Sequence, residues 1–149
     1  MIRGFTFTNI KAGWIDAEIL ASNGVQAVDA SYLTDAIRDF ADALASLVTA
    51  PTATCRWEQE PGELEWEFIR SGDHLAVKVS LLLSGDRQPR FECFFRYRSF
   101  CKDVLDSLHD LKDALGLPAF AKAWGYPFPA EASRKLENAI KSNSASETA

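Results

Sequence analysis

The residues of this sequence that could do chemistry by their type and spacing are carboxylates. Five glutamates fall within one predicted hairpin, with no Lys or Arg between them: Glu58, Glu60, Glu63, Glu65 and Glu67. Aspartates recur every three or four residues on two predicted helices: Asp35, Asp39 and Asp42, then Asp103, Asp106, Asp110 and Asp113. Like charges at this helical spacing repel by roughly a few tenths of a kcal/mol per pair. The pattern therefore indicates either solvated faces or a surface that complements a basic protein.

A tryptophan extends this set. Trp14 falls on the same side of a predicted strand as Asp16 and Glu18. An exposed aromatic residue among acids is typical of a binding hot spot. The predicted partner-binding residues are Trp14, Glu58, Glu60, Glu63, Glu65, Glu67, Asp103, Asp106 and Asp110.

Sequence motifs for catalysis and cofactor binding are absent. His74 and His109 form no HxH, HxxE or HExxH pattern, and no GxSxG, P-loop or GxGxxG motif follows a strand. We therefore predict no catalytic residues, no metal site and no cofactor. An active site assembled from scattered residues is left open.

The cysteines favour a structural role. Cys55, Cys93 and Cys101 are an odd count with no CxxC pair, which is typical of small buried residues in a reducing compartment. A reactive thiol needs a nearby base or helix terminus. Cys101, close to the start of a predicted helix, is the only candidate.

Composition narrows the class of partner. The 149 residues carry a net charge of -5, and the pI is near 5.0. Nucleic acid and anionic membranes select basic surfaces, so neither is expected as a partner. Residues 90–98 alternate Arg and aromatic residues as RNA-stacking strands do, but they lack the glycines of that motif. Because no run is long enough to span a membrane and residues 1–6 show no signal pattern, we expect a cytoplasmic protein.

Hydrophobic periodicity predicts the architecture. Alternating residues indicate a meander of strands, at residues 5–9, 14–21 and 25–28, and then a run of four strands between residues 53 and 97, with Trp57 and Trp66 in the core. Helices are predicted from Ser31 as N-cap to Pro51, from Ser99 to Gly116, and over residues 119–124 and 130–141. We expect one α+β domain over residues 1–141, in which helices pack on one face of antiparallel sheet. Residues 142–149 are predicted to form a disordered tail.

This order of elements carries a resemblance to a family. The meander, the Ser31-led helix, the hairpin Trp57-Glu58-Gln59-Glu60-Pro61-Gly62-Glu63 and the Ser99-led helix resemble small bacterial immunity proteins of the WapI-like kind. The likeness covers most of residues 5–115. It implies a small α+β protein of the cytoplasm that neutralises a toxin by binding it.

Two hypotheses follow. The first is a non-catalytic protein, an immunity-type inhibitor that covers a basic toxin with its acidic faces. The second is a small enzyme or ligand-binding domain with a pocket between the sheet and the C-terminal segment that carries Trp124, Tyr126 and Phe128. A homodimer formed through an open sheet edge is compatible with both.

Overall fold

The structure, a computed structural model, describes the backbone of residues 3–148 and the side chains of residues 3–142. Within these residues the chain forms seven strands and four helices. The strands are β1 (Phe5–Lys11), β2 (Trp14–Ala21), β3 (Gly24–Ser31), β4 (Thr52–Glu58), β5 (Glu63–Ser71), β6 (His74–Leu83) and β7 (Asp86–Arg96). The helices are α1 (Ala36–Ser46), α2 (Tyr97–Leu115), α3 (Leu117–Trp124) and α4 (Ala130–Thr148). The predicted α+β class is confirmed.

The strands form two antiparallel sheets. The meander is a sheet of order β1-β2-β3, and the later run is a sheet of order β4-β5-β6-β7. Short turns join every consecutive pair within each sheet, as antiparallel neighbours allow. The two sheets and the helices enclose one core, in which Phe5 and Phe40 stack with ring centroids 4.9 Å apart. Trp57 and Trp66 are fully buried beside them, as their alternation predicts.

The other face of the four-stranded sheet carries polar residues in cross-strand rows. One row places Arg56 opposite Glu65 and Glu65 opposite Ser80. The next places Glu67 opposite Lys78, which faces Glu92 on β7. These positions alternate with the buried ones because successive side chains of a strand point to opposite faces.

The predicted start of the first helix is wrong. Ser31 is the last residue of β3, buried and paired with Trp14, so it continues the ladder instead of capping a helix. Asp35 is the actual N-cap, and its side chain accepts a hydrogen bond from the Arg38 backbone N–H at 3.3 Å. Leu33, which falls within the predicted helix, precedes the actual one and is exposed.

The C-terminal helices close the core. Helix α2 begins at Tyr97, two residues before the predicted start, and ends at Gly116, whose φ of +83° places it in the left-handed region. Helix α4 packs against α1 and α2 and buries Ala132, Leu136 and Ala139. In the part of the chain that the structure describes, no helix is both long and apolar enough to cross a bilayer. The last helix continues to Thr148, beyond its predicted end at residue 141. The disorder predicted for residues 142–149 stays a prediction, since Ala149 and the side chains from residue 143 onward lie outside the described residues.

Candidate protein-binding surface

Two arginines of the same sheet, one on β4 and one on β7, lie among the glutamates of the β4–β5 hairpin. Arg56 on β4 contacts Glu63 at 2.8 Å and Glu65 at 3.4 Å. Arg87 on β7 forms ion pairs with Glu65 and, at 3.2 Å, with Glu67. In the sequence, no Lys or Arg separates the hairpin glutamates, but in the folded sheet a guanidinium group lies on either side of Glu65.

Glu65 is the fixed centre of this network. It lies on the outer face of the sheet and yet is only 7% exposed, because the two arginine side chains cover it. The hydrogen bond from Arg87 holds the pKa of Glu65 below its ordinary value, and the positive charges of Arg87 and Arg56 add to the effect. The structure therefore places Glu65 inside an ion-pair network rather than at a free surface.

At the turn end of the hairpin, by contrast, acidic residues lie opposite one another. Glu58 and Glu63 are direct cross-strand partners. Partial burial raises the pKa of Glu58, and so do a hydrogen bond to Glu63 and the negative charges of Glu63 and Glu60. Glu60 itself is exposed in the turn. Like charges placed directly opposite on a sheet are destabilising. Arg56, which pairs with Glu63, is the only ion-pair partner of these three glutamates among the described residues.

These carboxylates border a groove that helix α1 and strand β4 form together. The groove has a volume of about 630 Å³, and we call it the acidic groove. One wall is a face of α1 and the other is the edge of β4. The principal residues of its walls are Asp39, Asp42, Ala43 and Ser46 on α1, residues 52–56 on β4, and Glu58 and Glu63 at one end.

The acidic groove unites two sequence features that lie far apart along the chain. Asp39 and Asp42 belong to the aspartate repeat of α1, whereas Glu58 and Glu63 belong to the hairpin. The α1 repeat is visible in the sequence, but Asp39 and Asp42 are not among the predicted partner-binding residues. The spacing of Asp39 and Asp42 shows that they share a helix face, but only the packing of α1 beside β4 places that face opposite the hairpin.

The aspartates of α2 lie elsewhere and are engaged within the protein. Asp103 accepts a hydrogen bond from the Gly4 backbone N–H at 2.8 Å. Asp106 pairs with Lys102 at 2.7 Å, and Asp110 pairs with Arg3 at 2.9 Å. Asp106 and Asp110 line a depression between α2 and α4, separate from the acidic groove. The structure therefore does not bring the predicted α2 residues and hairpin residues into one site.

Trp14 also lies outside the acidic groove. It is half-buried at the start of β2, opposite Lys11 on β1 and Ser31 on β3. The neighbouring Gly13 donates its backbone N–H to the Ala123 carbonyl at 2.8 Å, which brings α3 against this end of the sheet. Trp14 is thus part of the seam between the meander and α3.

An exposed aromatic residue was missed by the sequence analysis. Phe94 on β7 is 68% exposed on the outer face of the sheet, in the same cross-strand row as Ala76 and Ile69. The sequence contains a signal for this exposure. Phe91, Cys93 and Phe95 occupy alternate positions of the strand, and Phe94 lies between two of them. Alternation therefore turns it to the outer face.

The thiols are enclosed. Burial raises the pKa of Cys101 to about 12, and burial likewise raises the pKa of Cys93 to about 12. Burial also raises the pKa of the half-buried Cys55. Cys101, the sequence candidate for a reactive thiol, is fully buried and keeps its proton at neutral pH.

The C-terminal aromatic residues fill the space in which a pocket was considered. Trp124 is fully buried and donates its indole N–H to Asp35 at 3.0 Å. Tyr126 donates its hydroxyl to the Tyr32 carbonyl at 2.7 Å. The Phe128 ring packs edge-on against Phe120, with centroids 5.5 Å apart. These contacts make the segment a packed joint between α3 and the start of α1.

Among the described residues, no three His, Cys, Asp or Glu side chains converge in an arrangement that could hold a metal ion. Comparison with protein-family models, with curated proteins and with solved structures finds no match to this chain. The geometry described above is therefore the basis for a functional interpretation.

Proposed function

We propose that this protein acts by binding a basic protein partner at the acidic groove, as a non-catalytic inhibitor of the immunity type. The observation that carries the proposal is the meeting of carboxylates from two separate elements in one concave surface. Four carboxylates, Asp39, Asp42, Glu58 and Glu63, border the groove together with the guanidinium of Arg56. Asp39 pairs with Arg38 at 3.1 Å and Glu63 pairs with Arg56 at 2.8 Å, whereas Asp42 and Glu58 have no ion-pair partner among the described residues. Such a surface raises the association rate of a positively charged partner and selects against acidic ones.

The electrostatics of the groove support the proposal further. Burial of Glu58 and its apposition to Glu63 both raise the pKa of Glu58, so its charged form costs free energy in the isolated protein. A Lys or Arg side chain bound between them would offset that cost. The WapI-like resemblance supports the same class of function, with a toxin as the basic partner and the cytoplasm as the place of action.

Growth protection in the source organism tests this proposal. A photo-crosslinking amino acid at position 42 captures the partner, and the captured protein is then expressed alone and together with the inhibitor. We expect the partner to arrest growth, and co-expression of the unaltered inhibitor to restore it. An inhibitor carrying Asp42→Lys and Glu63→Lys should not protect.

The matched control is an inhibitor carrying Asp113→Lys and Glu131→Lys. This control makes the same change of charge at exposed positions outside the groove, so it should protect fully. The melting temperatures of both variants are measured to compare their stability. Equal protection by both variants, or a captured partner that is acidic, would overturn the proposal.

A further inference from the structure

The edge of β4 in the acidic groove is a regular strand edge with its backbone unpaired. Strand β4 is the first strand of its sheet and pairs with β5 alone among the described residues. In an antiparallel pair, every second residue of an edge strand turns its N–H and C=O away from the partner. No backbone hydrogen bond from another described element reaches the outward side of Thr52–Glu58. The groove therefore presents free donors and acceptors along one wall.

The two edges of this sheet differ in their protection. On β7, the ladder with β6 shifts register between Val79 and Ser80, and Pro89 lies at that irregularity. Bulges and prolines are the features that prevent an edge from pairing with another chain. Strand β4 has neither, because its seven residues pair with β5 in one unbroken register from Thr52 to Glu58. The β4 edge has α1 beside it and the end of β3 near it, so the part that opens into the acidic groove is the part that can accept a strand.

Charge determines which kind of strand fits. The wall of α1 opposite the β4 edge carries Asp39 and Asp42, and Glu58 and Glu63 stand at the end of the groove. Asp42 has no ion-pair partner among the described residues, and its enclosed Oδ1 accepts no hydrogen bond from them. A second copy of this chain would bring the same acids together, which the net charge of -5 opposes. An extended segment with Lys or Arg is the complementary occupant.

We infer that the partner binds by adding an extended, basic segment to the free edge of β4, so that backbone hydrogen bonds form along Thr52–Glu58 and alternate Lys or Arg side chains reach the acidic groove. This inference rests on the proposed function and specifies how the partner is held. In this mode the main-chain bonds supply affinity and the side chains supply selectivity. Side chains of a strand alternate between faces, so only every second residue of the segment needs to be basic.

Four synthetic peptides of nine residues test the mode of binding. The first alternates Lys with Val, and the second replaces each Lys by Glu. The other two keep the Lys/Val sequence and are N-methylated at alternate amides, one on the odd-numbered and one on the even-numbered residues. Affinity is measured by titration calorimetry. Hydrogen exchange of the β4 amides is measured in the free and bound protein.

The Lys/Val peptide should bind and should slow exchange at the outward amides of Thr52–Glu58 by about tenfold or more. The Glu peptide should bind at least about tenfold more weakly, which corresponds to about 1.4 kcal/mol of binding free energy. We expect a loss of the same size for the N-methylated peptide whose methyl groups block pairing with β4. The protein variant Asp42→Asn with Glu63→Gln removes charge at nearly constant shape and should lose about tenfold in affinity for the Lys/Val peptide. The variant Asp113→Asn with Glu131→Gln should bind as the unaltered protein does.

Each alternative result overturns the inference. Equal binding of both N-methylated peptides would show that charge alone holds the segment, and the proposed function would stand without strand addition. Slower exchange on β7 instead of β4 would move the site to the other edge. Dimerisation in analytical ultracentrifugation that the Lys/Val peptide reverses would identify a second copy as the occupant. If no peptide binds but growth protection holds, only the mode of binding fails.

Discussion

Trp124 donates its indole N–H to the carboxylate of Asp35, and this single contact joins the end of α3 to the beginning of α1. The same carboxylate caps α1 through the Arg38 backbone N–H. Because α1 supplies Asp39 and Asp42 to the acidic groove, the C-terminal segment helps to fix the position of a surface to which it does not itself contribute side chains.

Removal of the Asp35 carboxylate should destabilise the protein. Asp35→Ala deletes the helix cap and leaves the buried indole N–H of Trp124 without its acceptor. We expect a loss of roughly 2 to 3 kcal/mol in the free energy of unfolding, measured by urea denaturation. Asp35→Asn keeps an acceptor oxygen and should cost less than about 1 kcal/mol. Equal losses for the two variants would contradict the role of the shared oxygen.

The Glu65 network should stabilise the protein only while Glu65 is charged. Its folded-state pKa lies below the ordinary value of 4.5, so the folded protein binds the proton less readily than the unfolded chain does. The stability that Glu65 contributes is therefore present above pH 4.5 and is lost as the pH falls through the lowered pKa. At pH 7, Glu65→Gln should cost about 1 kcal/mol, a modest value because both arginine side chains are half exposed.

Chemical denaturation across a pH series measures this effect. The difference between Glu65→Gln and the unaltered protein should shrink as the solution is acidified below pH 4.5. The control Glu131→Gln, at an exposed position with a long contact of 3.7 Å to Arg134, should stay within about 0.5 kcal/mol throughout. A pH-independent loss in Glu65→Gln would show that packing, not charge, is responsible.

Glu58 should affect stability in the opposite direction to Glu65. Its pKa is raised in the folded protein, so the folded state binds the proton more readily and stability falls as the pH rises from 4.5 through the raised pKa. At pH 7, Glu58→Gln should therefore stabilise the protein by roughly 0.5 kcal/mol, and the gain should disappear below pH 4.5.

A double-mutant cycle with Glu63 isolates the cause of that gain. If repulsion across the β4–β5 ladder is responsible, Glu58→Gln should give a smaller gain in a Glu63→Gln background than in the unaltered protein. Thermal and urea denaturation at pH 7 supply the free energies. The same gain in both backgrounds would leave burial of Glu58 and the charge of Glu60 as its causes.

Tyr97 should contribute through its hydroxyl group. This buried O–H donates to the Leu44 carbonyl at 2.6 Å, near the C-terminal end of α1, and the same carbonyl accepts the Leu47 backbone N–H at 3.2 Å. Tyr97→Phe should cost about 1 kcal/mol in the free energy of unfolding, measured by urea denaturation, because the carbonyl loses the shorter of its two hydrogen bonds. The ring keeps its contact with the Arg70 guanidinium, 4.1 Å from its centroid, so near-UV circular dichroism should change little.

Local patterns in the sequence predicted much of the framework. Alternation turned Trp57 and Trp66 inward and the charged residues of the same strands outward, because a strand has a period of two regardless of its neighbours. The need for a left-handed conformation at the end of a helix likewise predicted the end of α2 at Gly116. By contrast, Ser31 and Asp35 are both good N-caps by residue type. Only the extent of the β2–β3 ladder determined which of them begins α1.

The sequence by itself determined which side chains of a strand share a face, and that the protein is acidic. The tertiary structure alone decided which acids are neutralised and which remain in excess. Arg87 pairs with Glu65, although two turns separate these residues along the chain. The packing of α1 likewise places Asp39 beside β4, which is a later segment of the chain. Periodicity sets the orientation of a side chain within its own element, whereas charge pairing depends on distances between elements, which only the packing of the core establishes.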